Sequence, residues 1–142
     1  MKSLTLVRVL YVVASLYDLV LGLAFIVAAP AIFSAAGIVP PNHWGYVHFA
    51  AGLLVVFALM FLSIARQPVE NRNLVVYGIL LKVCYVLTVC WHWYAGGIPA
   101  MWKYFAVVDA LFGVAFFWSL VPLEMAALER KPVGRVPAVD LK

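Results

Sequence analysis

Three ionisable residues lie deep inside apolar stretches of this sequence: Asp18, Lys82 and Asp109. They belong to three different stretches, so the neighbouring side chains along the chain offer none of them a partner. A charged side chain near the centre of a bilayer costs about 3 kcal/mol or more unless it pairs or lines a water-filled cavity. We therefore expect these three side chains to meet in one buried cluster.

Helical rise agrees with this expectation. At about 1.5 Å per residue, Asp18, Lys82 and Asp109 lie about 21, 12 and 18 Å from the predicted inner ends of their spans. The lysine side chain is long, so the three charged groups can share one layer near the bilayer centre. Tyr17 and Tyr85 are close to them in sequence, and we expect both to donate hydrogen bonds to the same cluster.

Two carboxylates and one ammonium leave a net negative charge if all three groups are ionised. Either one aspartate is protonated, or Arg8, a tyrosine or a ligand cation contributes to the cluster. Two interpretations stay open at this point. The cluster is an ion-pair lock between spans, or it is a proton-responsive or ligand-binding site, a role expected of intramembrane ionisable residues.

The histidines form a second group that could do chemistry: His43, His48 and His92. Two facing histidines can bind haem or copper, and an imidazole can titrate with external pH. Because no two of them have the i, i+4 spacing of a metal site on one helix, we interpret them as interfacial residues and predict no metal and no cofactor. Haem or copper stays an alternative, as does a ligand-contacting rim formed by His48, His92, Trp91, Trp93 and Trp102.

The overall composition indicates that a membrane surrounds these residues. The chain has 142 residues, of which 67% are hydrophobic and 11% charged. Soluble domains average about 45–50% apolar and about 25% charged residues. We therefore expect the chain to lie in a lipid bilayer. The formal charge is +4, but no basic face exists outside the chain ends and one short loop, so the sequence argues against nucleic-acid binding.

Four apolar stretches are long enough to cross a bilayer as helices. We predict an all-α, integral-membrane four-helix bundle with short loops, in which sequence neighbours are antiparallel. Pro30 is expected to end the first span because proline cannot continue a helix without losing a hydrogen bond. Residues 1–123 are predicted to form the transmembrane domain, and residues 124–142 a partly disordered cytoplasmic tail. The predicted spans are about 4–29, 44–65, 74–96 and 101–121.

Lysine and arginine predict the orientation of the bundle. With four spans, the basic residues outside the cluster all fall on one side of the membrane except Lys103. The positive-inside rule makes that side cytoplasmic, so both termini are expected in the cytoplasm. The residues on that side are Lys2, Arg8, Arg66, Arg72, Arg130, Lys131, Arg135 and Lys142.

The two cysteines, Cys84 and Cys90, both belong to the stretch that contains Lys82. On one helix they are separated by about 9 Å of rise, which is too far for a disulfide. We expect them to be buried apolar fillers rather than redox or metal groups.

A short internal repeat precedes two of the spans. Residues 37–46 contain Gly-Ile-Val-Pro followed by Trp-Gly-Tyr, and residues 97–104 contain Gly-Ile-Pro followed by Trp-Lys-Tyr. Both copies come before a span of the same direction. A duplicated hairpin would explain the pattern, and chance similarity of a short motif is the alternative.

The first hairpin contains a series of glycine, phenylalanine and proline residues. These residues are Gly22, Phe25, Pro30, Phe33, Gly37, Gly45 and Gly52. In this pattern the chain resembles the small bacterial four-helix membrane proteins of the DoxX-like kind. The resemblance implies a four-span bundle in a bacterial inner membrane, often with a partner or an accessory role, and it carries over no functional residue.

Common catalytic templates are missing from the sequence, which contains no GxGxxG, P-loop, GxSxG or HExxH motif. The leading hypothesis is a non-catalytic accessory subunit that works with a protein partner or as a homo-oligomer, because almost nothing extends outside the bilayer. The alternative is a protein that binds a lipid, quinone or sterol-like molecule, or an enzyme acting on one. Its site would lie between the helices near the outer leaflet.

Overall fold

The structure, a computed structural model, describes residues 2–130. Within this range the chain forms four long α-helices and one short 3-10 helix, without any strand, so the predicted all-α fold is confirmed. Each long helix is long and apolar enough to cross a membrane. Residues 131–142 of the predicted disordered tail lie outside the described residues. The helices are α1, Lys2–Ala35; α2, Gly45–Arg66; α3, Val75–Ala95; and α4, Ala100–Arg130, with the 3-10 helix at Arg72–Leu74.

The first helix continues past Pro30, contrary to our expectation, and ends at Ala35. The proline is accommodated by a kink at Ala28, whose φ of −129° and ψ of 20° are not helical. A bend just before a proline relieves the clash between its ring and the preceding turn. Residues 30–35, which follow the predicted end of the first span, are therefore part of α1.

A glycine cap ends α1. Gly37 has a φ of 63°, and its N–H donates to the Ser34 carbonyl at 3.1 Å while the Ile38 N–H donates to the Phe33 carbonyl at 2.9 Å. This is the Schellman pattern, in which glycine takes the left-handed conformation and satisfies the last carbonyls of the helix. The side chains of Ile38 and Phe33 pack in the same hydrophobic cluster, as that motif favours.

The four helices are arranged as two hairpins. α1 packs closely against α2 and α3 packs against α4, whereas α2 and α3 scarcely touch each other. Small residues explain the close contact in the first hairpin: a Cβ on Gly22 would lie 2.7 Å from the Ala51 carbonyl oxygen. The Ser15 hydroxyl adds a hydrogen bond of 2.8 Å to the Ala58 carbonyl. Such close approach of small residues is typical of helix pairs in membranes.

Charged residues mark one end of the bundle. Arg72 donates to Glu124 at 3.1 Å, and Arg130 pairs with Glu70. These pairs connect the end of α4 to residues 67–74, and we call this end, where α1 also begins, the terminal end. The opposite end, which holds residues 36–44 and 96–99, is called the loop end.

The interior of the bundle has three layers. An aromatic layer near the terminal end contains Tyr11, whose ring stacks on Phe116 at a centroid distance of 4.8 Å. A second aromatic layer near the loop end contains Phe25, whose ring stacks on Trp102 at 5.8 Å. The charged residues predicted to cluster lie between these two layers, so the bundle surrounds its most polar side chains with hydrophobic packing.

Large apolar side chains cover the outer faces of the helices. Examples are Val20, Val114 and Phe117, which are 65%, 72% and 70% exposed. Monomeric soluble proteins rarely expose continuous apolar surface of this extent. Polar groups inside and apolar groups outside are what a helix bundle in lipid requires.

Candidate ligand-binding site

The predicted charged cluster forms. Lys82 on α3 donates a hydrogen bond of 2.8 Å from Nζ to Asp18 Oδ1 on α1, and the same Nζ lies 2.9 Å from Asp109 Oδ1 on α4. The contact with Asp109 is at ion-pair distance but outside the angular range of a hydrogen bond. The exposed fractions of Asp18, Lys82 and Asp109 are 0%, 1% and 6%, so all three charges are removed from the surface.

Aromatic rings surround the ammonium group on its remaining sides. Lys82 Nζ lies 5.4 Å from the ring centroid of Tyr17, 5.6 Å from that of Phe112 and 5.8 Å from that of Phe61. A cation within about 6 Å of an aromatic face is attracted by the quadrupole of the ring. The rings of Phe61 and Phe112 were missed in the sequence. Phe112 follows Asp109 by three residues and so lies on the same face of α4, whereas no spacing along the chain relates Phe61 on α2 to the cluster.

The predicted hydrogen bonds from the two tyrosines to the cluster are not formed. The ring of Tyr17, rather than its hydroxyl, faces the ammonium, and that hydroxyl is buried without a hydrogen-bond partner among residues 2–130. Tyr85 donates instead to the Trp102 carbonyl at 3.3 Å. The reason is geometric, since Tyr85 lies almost one turn beyond Lys82 on α3 and its long side chain reaches the loop end of the bundle.

A cavity of about 420 Å³ extends from the cluster towards the loop end, and all four helices contribute to its wall. We call it the hairpin cavity. Its floor includes Tyr17, Asp18 and Asp109, and its far end includes Tyr46 and Trp102. Most of the remaining wall is apolar. The cavity therefore joins a polar floor to an apolar body.

The opening of the hairpin cavity lies between α2 and α3. Wall residues on both helices are exposed, including Ala50 and Leu53 on α2 and Cys84 and Thr88 on α3. These are the two helices that scarcely touch each other. The loose contact between the hairpins is therefore the physical origin of the cavity.

Three buried polar atoms on the floor make no hydrogen bond within residues 2–130, and of these only Asp109 Oδ1 is at ion-pair distance from Lys82. Asp18 Oδ2 and the Tyr17 hydroxyl make no hydrogen bond within the described part of the chain, and both residues line the hairpin cavity. An unsatisfied buried polar group costs about 1–3 kcal/mol, and more when it is charged. Buried groups of this kind in a native fold call for an explanation, of which a ligand is one.

The five residues of the predicted aromatic and histidine rim do not line one common cavity. Of these residues only Trp102 lines the hairpin cavity, whereas Trp91 and His92 line a separate shallow depression on α3. His48 and Trp93 line neither of these two cavities. The ring of Trp93 instead contacts Lys103, whose Nζ lies 4.3 Å from the ring centroid. The actual aromatic wall at the loop end, beside Trp102, consists of Phe25, Tyr46 and Phe105.

Helical spacing could have identified most of this wall. Phe105 and Trp102 precede Asp109 by four and seven residues, and Phe25 follows Asp18 by seven. Positions separated by three, four or seven residues lie on the same face of a helix. Each acid therefore shares its face with aromatic side chains further along the same helix.

The histidines and cysteines lie at the surface. His43, His48 and His92 are exposed, and residues 2–130 contain no group of three or more His, Cys, Asp or Glu that could hold a metal ion. Cys84 and Cys90 are free and exposed, so the prediction that they are buried fillers is wrong. In a bundle whose apolar residues point outward, an apolar side chain need not be internal.

Comparison with known proteins adds no relative. No protein-family model, curated protein or solved structure matches this chain.

Proposed function

We propose that this chain is a multi-pass membrane protein that binds a small, largely apolar molecule in the hairpin cavity. The volume of about 420 Å³ falls in the range of ligand pockets, roughly 300–1,000 Å³. Such pockets are mostly apolar and carry a few polar groups that orient the ligand. The observation that carries the proposal is the unpaired, fully buried Asp18 Oδ2 on the cavity wall.

The ligand enters from the lipid between α2 and α3. The exposed wall residues on these helices support this route, because a molecule dissolved in the bilayer reaches them without crossing water. Its apolar body lies against residues such as Leu54 and Phe105, and its polar group reaches the floor at Asp18. This arrangement corresponds to the ligand-binding alternative and not to the accessory-subunit hypothesis.

The loop end faces away from the cytoplasm in this proposal. Its support is the distribution of basic residues, since Lys103 is the only lysine or arginine at the loop end within residues 2–130. The hairpin cavity then lies in the outer half of the bilayer. We expect a fluorescent protein fused after Lys142 to fluoresce in a bacterial host and a periplasmic phosphatase fused there to be inactive. The converse pair of results would place the C-terminus outside.

Photocrosslinking tests the binding proposal. The probes are three decyl chains that carry a diazirine and end in an ammonium, a hydroxyl or a carboxylate, added to the protein in phosphatidylcholine nanodiscs. We expect at least one probe to label the cavity residues Leu54 or Phe105 in a saturable way that excess unlabelled probe suppresses. Labelling of Leu111, which is 67% exposed and outside the cavity, should not saturate.

A matched pair of variants controls this experiment. Ala50 lies exposed on the cavity wall, so Ala50→Trp should fill the cavity and abolish saturable labelling. Ala110 is exposed on α4 outside the cavity, so Ala110→Trp adds the same side chain to the lipid-facing surface and should leave labelling unchanged. The proposal is overturned if no probe gives saturable labelling of the cavity wall in the unmodified protein.

A further inference from the structure

We infer that the hairpin cavity is selective for lipophilic amines, whose protonated amino group is held at Asp18 Oδ2. This inference rests on the proposed binding function and adds the chemical class of the ligand. It follows from three independent properties of the floor and the wall: the charge of the cluster, the hydrogen-bonding capacity of its unpaired atoms, and the aromatic surroundings.

The charge of the cluster favours a cation. Asp18 and Asp109 share one ammonium group, that of Lys82, and no other ion pair in the described range reaches either carboxylate. The ionised cluster therefore carries one excess negative charge beside an apolar cavity. Charges interact more strongly in such surroundings than in water. A cationic ligand head balances this charge, whereas an anionic head is repelled by it.

The unpaired atoms favour a ligand that donates hydrogen bonds. Asp18 Oδ2 is an acceptor when ionised, and Asp109 Oδ1 has no aligned donor although it lies near Lys82. A primary ammonium brings three donors and a hydroxyl only one, whereas a quinone carbonyl brings none. A quinone could bond only to the Tyr17 hydroxyl and would leave the carboxylate oxygen unsatisfied. Bonds from an ammonium to a carboxylate are also stronger than bonds between neutral groups.

Aromatic rings make the same floor suitable for a second ammonium. The ammonium of Lys82 already lies among two carboxylates and three rings. Tyr17, which provides one of these rings, also lines the cavity, so an amino group bound at Asp18 would meet similar surroundings. At the loop end, the stacked rings of Phe25 and Trp102 form an apolar boundary for the body of the ligand.

The experiment compares the three decyl probes at equal chain length, so that only the head group differs. We expect the ammonium probe to reach half-maximal labelling of Leu54 or Phe105 at a concentration about tenfold below that of the hydroxyl probe. The carboxylate probe should label least. Unlabelled decylamine should compete more effectively than unlabelled decanol.

Two variants assign the preference to the cluster. Asp18→Asn should bring the ammonium probe to the level of the hydroxyl probe. Asp18→Asn replaces the charged acceptor of Lys82 with a weaker, neutral one and can fail to fold. Asp109→Asn therefore serves as a second test, because it removes one negative charge without breaking the Lys82–Asp18 hydrogen bond. We expect it to weaken labelling by the ammonium probe more than labelling by the hydroxyl probe.

The outcomes separate this inference from the binding proposal. Equal saturable labelling by all three probes, or stronger labelling by the hydroxyl or carboxylate probe, overturns the selectivity for amines and leaves the binding proposal intact. Saturable labelling by none of the three overturns both. An ammonium preference that persists in both aspartate variants also contradicts the inference, because another group would then have to recognise the amine.

Discussion

Lys82 Nζ lies 2.8 Å from Asp18 Oδ1, although the two residues are 64 positions apart in the chain. The bond connects α3 to α1 and therefore joins one helical hairpin to the other. The hairpins otherwise make few contacts, particularly between α2 and α3. A charged hydrogen bond thus holds together two hairpins that leave a cavity between them. Asp18 therefore contributes both to the stability of the bundle and to the proposed ligand site.

Lys82→Met should strongly destabilise the bundle. It keeps an unbranched side chain of similar length but removes the cation that lies between two buried carboxylates. Breaking a buried ion pair by removing one partner costs about 3–5 kcal/mol. The measurement is thermal unfolding in one detergent. Lys103→Met is the matched control. The Lys103 ammonium lies over the Trp93 ring and forms no ion pair within residues 2–130, so its loss should cost about 1 kcal/mol or less. Equal midpoints for both variants would contradict the structural role of Lys82.

The two aspartates should differ in their contribution to stability. Asp18 accepts an aligned hydrogen bond from Lys82 and is completely buried, whereas Asp109 is at ion-pair distance without that alignment and is 6% exposed. Asp18→Asn should therefore lower the unfolding midpoint more than Asp109→Asn. Both variants should lower the unfolding midpoint less than Lys82→Met does. Each keeps one ionised carboxylate paired with the Lys82 ammonium, a pair without net charge, whereas Lys82→Met leaves two carboxylates facing each other. A larger loss in Asp109→Asn would mean that alignment of the hydrogen bond does not determine the strength of these contacts.

Two glycines on the first hairpin provide a further comparison. A Cβ at Gly22 would lie 2.7 Å from the backbone oxygen of Ala51, so Gly22→Ala must push α1 away from α2. We expect it to cost about 1–3 kcal/mol. A Cβ at Gly52 would meet nothing within 4 Å, so Gly52→Ala should be neutral or slightly stabilising through its higher helix propensity. Thermal unfolding checks both variants. If Gly52→Ala lowers the unfolding midpoint more than Gly22→Ala does, the close approach of α1 and α2 does not limit the size of the side chain at position 22.

The hydrogen bond between α1 and α4 near the terminal end can be tested by a double-mutant cycle. The Ser119 hydroxyl donates to the Phe116 carbonyl at 2.7 Å, so the Tyr11 hydroxyl is the donor in its 3.0 Å bond to Ser119 Oγ. Tyr11→Phe, Ser119→Ala and the double variant should give a coupling free energy of about 0.6 kcal/mol, the average for such bonds in membrane helices. A coupling near zero in detergent-based unfolding would show that the two side chains contribute independently.

Much of this protein follows from local sequence. Four apolar stretches determine four helices, and α2 and α3 agree with the predicted spans to within one residue at each end. Asp18, Lys82 and Asp109 had to be neighbours because isolated charges in apolar surroundings have few alternative partners. The rule that proline ends a helix failed at Pro30. The first helix continues through this residue because the chain bends at Ala28.

The cavity and its unpaired atoms were decided by the tertiary structure alone. Helical spacing assigns Phe25, Trp102 and Phe105 to the faces of the two acids, but it cannot say how far apart those faces lie. That distance depends on how helices pack: the small side chains of α1 and α2 bring these helices together, whereas α2 and α3 stay apart. The contacts of the Tyr17 ring with Lys82 and of the Tyr85 hydroxyl with Trp102 depend on the same distances. Sequence therefore determined which groups are buried together, and packing between the hairpins determined which of their atoms remain available to a ligand.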